Sequence, residues 1–175
     1  IYGVLNQGGY VSSQSINGFE KNNVTIVNSI NNGNVMSGSH MGGFVGYTDA
    51  QSLDVENCEV NSKTEDSKIE LSDIYSSDKG GIVGYLKVPY VTIKDCTVNN
   101  MELTRSSTVA GNTYGATGGI VGNWCAEGSF GIYLESLEIE NCSVTNSTIE
   151  TKGQSIAGIV GASKNRAYKC CGGGV

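Results

Sequence analysis

The sequence predicts an all-β protein: a parallel β-helix, or β-solenoid, of about four to five coils with roughly 38 residues in each. Three observations predict it. A glycine motif recurs at near-constant spacing, an alternating apolar motif lies between its copies, and the composition argues against the other classes.

Composition narrows the field first. Among 175 residues only 16% are charged, against roughly 25% in an average globular domain, while 38% are hydrophobic. That is too apolar for a disordered chain, which needs high charge and low hydrophobicity. There are 25 Gly and one Pro, with 17 Asn, 20 Ser and 12 Thr, a balance that favours turns and short strands over helices. A net charge of −6 argues against gripping nucleic-acid phosphates. No apolar run approaches the roughly 20 residues of a membrane span, so no membrane insertion is expected. With a single His and no sustained helical period, neither a metal site nor a cofactor is expected.

The glycine motif reads Gly42-Gly43-Phe44-Val45-Gly46-Tyr47, Gly80-Gly81-Ile82-Val83-Gly84-Tyr85, Gly118-Gly119-Ile120-Val121-Gly122-Asn123 and Ala157-Gly158-Ile159-Val160-Gly161-Ala162, with a worn copy at Tyr2-Gly3-Val4-Leu5. The second glycines stand at 3, 43, 81, 119 and 158, spaced 40, 38, 38 and 39 residues apart. A fixed period of this length is the mark of a stacked architecture. It divides the chain into repeats at about 1–40, 41–78, 79–116, 117–155 and a partial 156–175, all within one segment of a longer array or polymer.

Between the glycine marks runs Leu53-x-Val55-x-Asn57-Cys58-x-Val60, then Val91-x-Ile93-x-Asp95-Cys96-x-Val98, then Leu137-x-Ile139-x-Asn141-Cys142-x-Val144, with a looser copy at Val24-x-Ile26-x-Asn28-Ser29-Ile30. Apolar residues two apart are the signature of a half-buried strand, and Asn or Asp after them marks a bend. A propeller blade would need hairpin turn signals such as Asn-Gly between its strands, and none recurs here. Parallel stacking instead lines up Asn28, Asn57, Asp95 and Asn141 as a polar ladder, and Glu56, Lys94 and Glu140 as a ladder of alternating charge.

Gly-Gly-Ile-Val-Gly-Tyr, recurring with an Asn-Cys strand between copies, resembles the GLUG-type repeats of bacterial surface polypeptides, including adhesins and proteins of the IgA-protease type. The resemblance spans essentially the whole chain. It implies an accessory β-rich segment at the cell surface and carries over no catalytic residue.

Cys58, Cys96 and Cys142 share one column, where they are either disulfide candidates or a stack of buried thiols. Cys125, Cys170 and Cys171 fall in expected loops or the tail, where a bridge is more plausible, and their spacing is not that of a zinc knuckle. Asn23 and Asn146 head Asn-x-Ser/Thr sequons in expected loops and are candidate glycosylation sites. The sequon at Asn141 lies in the polar ladder, where burial would block it.

The carboxylates are scattered along solvent faces rather than clustered as a lyase or glycosidase needs. His40 has no orienting acid that the sequence can supply. No enzyme is expected. Tyr47, Tyr85 and Trp124 are the aromatic residues that would favour glycan binding, the two tyrosines sharing a column.

Both central residues of the glycine motif are apolar. If the motif is a strand, one column faces away from the core: Phe44, Ile82, Ile120 and Ile159, with Val4, or else Val45, Val83, Val121 and Val160, with Leu5. That column is either a contact stripe or covered by a loop. A stacked sheet also exposes unpaired strands at its ends, and neither end of this sequence carries a capping pattern. The expected protein is a non-catalytic structural or adhesive element, extracellular or on the cell surface. It is a stalk segment or a fibre subunit, self-associating through open ends or joining other surface proteins. The alternative is a carbohydrate-binding or carbohydrate-cleaving β-helix.

Overall fold

A computed structural model of the chain describes residues 2–3, 6–8, 23–33, 35–37, 40–61, 69–71, 78–105, 115–125, 135–150 and 155–164. The described residues form short strands and no helix, and the strands pair in parallel in five sheets. The first sheet holds Asn23–Val27, Ser52–Glu56, Tyr90–Lys94 and Ser136–Glu140; the second holds Ile30–Asn31, Glu59–Asn61, Thr97–Asn99 and Ser143–Thr145. The third contains Tyr2–Gly3, Val35–Ser37, Ile69–Leu71, Glu102–Arg105 and Thr148–Glu150. Asn6–Gly8, His40–Gly42, Lys79–Gly80, Ala116–Gly118 and Ser155–Ala157 make the fourth. The fifth consists of Val45–Thr48, Val83–Leu86, Val121–Cys125 and Val160–Lys164. From Asn23 onward the chain visits the five sheets in this order in each of four passes, and every strand lies beside its counterpart from the preceding pass.

Asparagine makes the turn from the first sheet into the second. Asn28, Asn57, Asp95 and Asn141 have φ of 50°, 50°, 51° and 50°. This left-handed region is costly for most side chains but accessible to Asn and Asp, whose short polar groups bond locally. Each turn keeps its place in the stack: Asn28, Asn57 and Asp95 donate their backbone N–H to Glu56, Lys94 and Glu140 carbonyls at 3.0–3.1 Å. Asn100 (φ 54°) and Asn146 (φ 48°) make the same kind of turn between the second and third sheets.

The glycine motif is a corner rather than a strand, and this corrects the expected contact stripe. The chain bends at Gly43-Phe44, Gly81-Ile82, Gly119-Ile120 and Gly158-Ile159, between the fourth and fifth sheets. Because direction changes between the two apolar residues, the rule that neighbours face opposite sides lapses there, and both enter the core. Phe44 is 3% exposed, and Ile82, Ile120, Val45, Val83 and Val121 are all at 0%. Ile159, in the last described pass, is 41% exposed. Interstrand bonding runs through the bend, with Gly43 N–H donating to Gly81 O at 3.0 Å and Gly81 N–H to Gly119 O at 3.1 Å.

The corner packs tightly against the second sheet. A Cβ on Gly43 or Gly81 would stand 2.5 or 2.7 Å from a methyl of Val60 or Val98, so the glycine backbone rests directly on the second sheet's valine column. Val55, Ile93, Leu103 and Leu86 join these valines and isoleucines in one apolar cluster. Each such fully buried side chain contributes about 1.5–3 kcal/mol.

Candidate functional site

The densest polar cluster lies where the fourth sheet meets the fifth. Lys79 pairs with Met41 on one side and Thr117 on the other, which sets the preceding Asp78 between His40 and Ala116. Asp78 is 1% exposed. Its Oδ1 accepts from Ala116 N–H at 2.9 Å and from Asn123 Nδ2 at 3.1 Å. Its Oδ2 lies 3.1 Å from His40 Nδ1, in contact but without the alignment of a hydrogen bond. A carboxyl group at this depth persists because its Oδ1 accepts two hydrogen bonds.

Aromatic rings cover the histidine. Tyr47 and Tyr85 are register partners whose rings stack at 5.5 Å and 8°. The His40 ring stacks on Tyr85 at 4.6 Å and reaches Tyr47 at 5.8 Å. Burial, and secondarily the charge of Asp49, push the Tyr47 hydroxyl up to about 12, so it stays neutral in ordinary buffers. Asn123 takes the next place after Tyr85 in that column, which brings its amide to Asp78.

The histidine therefore has the acid that sequence reading did not find for it. A signal existed: His40 and Asp78 each stand three residues before the second glycine of their motif, so stacking made them neighbours. A carboxyl group beside an imidazole is the arrangement that orients a general base. Here the imidazole is packed on Tyr85, itself 4% exposed, and Asp78 is spent on bonds to the next pass. Of the tyrosine pair, Tyr85 is buried and Tyr47 half-buried. Trp124 does not extend it: Trp124 pairs with Leu86, one column away, packs on the core and donates Nε1–H to Val88 O at 2.7 Å.

A second constellation follows the Asn turns. Asn57 Nδ2 donates to Asn28 Oδ1 at 2.6 Å, and Asn141 Nδ2 to Asp95 Oδ1 at 3.1 Å. Cys58, Cys96 and Cys142, the next residues, are free thiols. Their Sγ–H groups point at backbone carbonyls: Glu56, Lys94 and Glu140 at 3.0–3.2 Å, and Ile26, Val55 and Ile93 of the preceding pass at 3.4–3.7 Å. Burial pushes the Cys96 thiol up to about 12, and it raises Cys142 as well. Such thiols are poor nucleophiles and poor metal ligands at neutral pH.

Cys125 is not in a loop but ends the strand Val121–Cys125, fully buried and disulfide-bonded. Cys170 and Cys171 lie outside the described residues. Among the described residues, no group of three or more His, Cys, Asp or Glu side chains is placed to hold a metal.

Beside the ladder runs a groove of about 280 Å³ lined by Asn28, Ile30, Asn57, Cys58, Glu59, Asp95 and Thr97. The sequon residues Asn23 and Asn146 are exposed, but both belong to the stack rather than to loops. Asn23 opens the strand Asn23–Val27, and Asn146 makes a turn and donates Nδ2–H to Asn99 Oδ1 at 3.0 Å. Asn141 is exposed too, at the outside of its turn, so burial does not block it. Of the charge ladder, Lys94 bridges Glu140 at 3.1 Å and the neighbouring Glu138 at 3.2 Å. Compared with known proteins, the chain matches no family model, no curated sequence and no solved structure.

Proposed function

We propose that the five sheets are the faces of a single parallel β-solenoid of four to five coils, and that this solenoid is a non-catalytic structural or adhesive element of a cell surface. It serves as a stalk segment or as a fibre subunit that joins copies or other surface proteins through its ends. The observation that carries the reading is the register. Like residues stack on like from pass to pass, asparagine on asparagine, cysteine on cysteine and glycine pair on glycine pair.

The residues with chemical potential support it, because they are occupied in holding passes together. Asp78 binds Ala116 and Asn123, and the thiols bond carbonyls. The likeness to GLUG-type surface repeats, the sequons at Asn23 and Asn146 and the disulfide at Cys125 support an extracellular setting. Electron microscopy with small-angle scattering across a dilution series tests the proposal. Rod-shaped particles, single or joined lengthwise, support it, whereas compact spherical particles would overturn it.

The carbohydrate reading has one observation in its favour, the His40–Asp78 pair beside the Tyr47–Tyr85 stack. Incubation with acidic polysaccharides tests it: new unsaturated chain ends would establish cleavage and displace the scaffold reading.

A further inference from the structure

Among the described residues, two buried side-chain atoms lack a hydrogen-bond partner: His40 Nδ1 and Asn123 Oδ1. Both belong to side chains that touch the carboxyl group of Asp78. The three residues come from successive passes, at the strands His40–Gly42, Lys79–Gly80 and Val121–Cys125. Asp78 is 1% exposed and Asn123 2%, so bulk water does not serve them. Leaving one buried polar atom unmatched is unfavourable, and two beside a single buried carboxyl group call for a common cause.

The geometry of the pair supplies it. His40 Nδ1 and Asp78 Oδ2 are 3.1 Å apart, a hydrogen-bond distance, yet they are not aligned as donor and acceptor. Two atoms that ligate one ion behave in this way, because their lone pairs converge on a third point instead of on each other. With metal bonds of about 2.1 Å, neighbouring ligands of an octahedral or tetrahedral ion stand about 3.0–3.4 Å apart. The other contacts hold the ligands in place. Asp78 Oδ1 is fixed by Ala116 N–H at 2.9 Å and by Asn123 Nδ2 at 3.1 Å. With its nitrogen engaged there, the Asn123 amide keeps Oδ1, which can only accept, as its remaining group. The imidazole is oriented by its stacking on Tyr85 at 4.6 Å, and its side chain, 23% exposed, gives the cluster a way to solvent.

We infer that His40 Nδ1, Asp78 Oδ2 and Asn123 Oδ1 form a site for a divalent cation of the zinc or manganese kind, with water completing its shell. One imidazole nitrogen with two oxygens suits these ions, whereas calcium takes oxygen ligands alone and soft monovalent ions take sulfur. The third ligand is an amide, so the site falls outside groupings of His, Cys, Asp and Glu. One ion fastens three passes at the junction of the fourth and fifth sheets. Strand register alone brings the ligands together, so the site stands apart from the cell-surface reading.

The test uses the full chain, stripped with a chelator and dialysed. Calorimetry should show about one equivalent of Zn²⁺ bound, with a rise in melting temperature. In NMR spectra Mn²⁺ should broaden the amide signals around His40, Asp78 and Asn123 first. His40→Phe keeps a ring on Tyr85 but has no lone pair; it should retain the wild-type circular dichroism and bind both ions at least about tenfold more weakly. Asn123→Asp sets a second carboxyl group beside Asp78, so it should be less stable than wild type without metal and recover with Zn²⁺. No localised broadening at millimolar Mn²⁺ would overturn the inference and leave the two atoms to buried water. Undiminished binding in His40→Phe would overturn it too, as would Zn²⁺ binding that disappears when the cysteines are alkylated.

Discussion

Gly84 lies against the backbone of Met41, so close that a Cβ on it would fall 2.4 Å from the Met41 carbonyl oxygen and 2.6 Å from its nitrogen. Gly122 repeats the relationship over Lys79, with 2.4 Å to that carbonyl oxygen. The fifth sheet therefore rests on the fourth with no side chain between them at these points. Alanine there must push backbone against backbone, which has no flexible end to yield. We expect Gly84→Ala and Gly122→Ala to destabilise by about 2–3 kcal/mol or more, lowering the melting temperature by roughly 5–10 °C. Gly158→Ala, with open space above it, should leave the melting temperature near wild type or slightly raised. Thermal unfolding of the three variants checks both halves.

The Asn turns predict an ordered series at Asp95, whose φ is 51° and whose Oδ1 accepts from Asn141. Asp95→Asn keeps the conformational preference and an acceptor, so stability should change by less than about 0.5 kcal/mol. Asp95→Ala loses both and should cost about 1–2 kcal/mol, and Asp95→Val more, because a branched side chain resists this conformation. Urea midpoints would settle the order; an alanine variant as stable as the asparagine one would sink the argument.

At Asp78 the issue is burial. Asp78→Ala strands Ala116 N–H and the Asn123 amide with no acceptor at a 1% exposed site, which should cost about 2–5 kcal/mol. His40→Ala mainly removes ring stacking and should cost less, on the order of 1 kcal/mol. Chemical denaturation of both variants tests the ranking.

Alkaline pH should weaken the fold. The thiol of Cys96 sits near 9.0 in the unfolded chain and is pushed up to about 12 when folded, and the Tyr47 hydroxyl moves from 10.0 to about 12. Above about pH 9 the unfolded chain holds fewer protons than the folded one, so stability falls as pH rises towards 12 and is fully present below 9. The urea midpoint measured from pH 8 to 11 should decline, and less steeply in Cys96→Ala. Native Cys96 should also react slowly with a disulfide reagent at pH 8 until denaturant is added.

How far the sequence revealed this structure depends on whether a feature is local. The turns at Asn57 and Asp95 were legible because a single residue type signals the conformation it adopts. The alternation of Leu53 and Val55 announced a half-buried strand for the same reason. The corner at Gly81-Ile82-Val83 was not legible, since two adjacent apolar residues look alike in a buried strand and in a bend that turns both inward. His40 and Asp78 were missed because neither residue means anything until stacking joins them across 38 positions. Cys58, Cys96 and Cys142 were correctly placed in one column, but they are free thiols that bond carbonyls two residues back rather than forming a disulfide there.

The unequal spacing of register partners has an evolutionary consequence. In the fifth sheet the step runs from Val83 to Val121, while in the first it runs from Tyr90 to Ser136. The extra length enters between Cys125 and Ser136, where the earlier pass goes from Leu86 to Tyr90, and the ladders on either side stay in step. Lengthening such a connection costs little, because closure entropy grows only with the logarithm of loop length. Natural variation can therefore graft new surface onto this backbone one interval at a time, leaving the glycine corners and asparagine turns as the inherited frame.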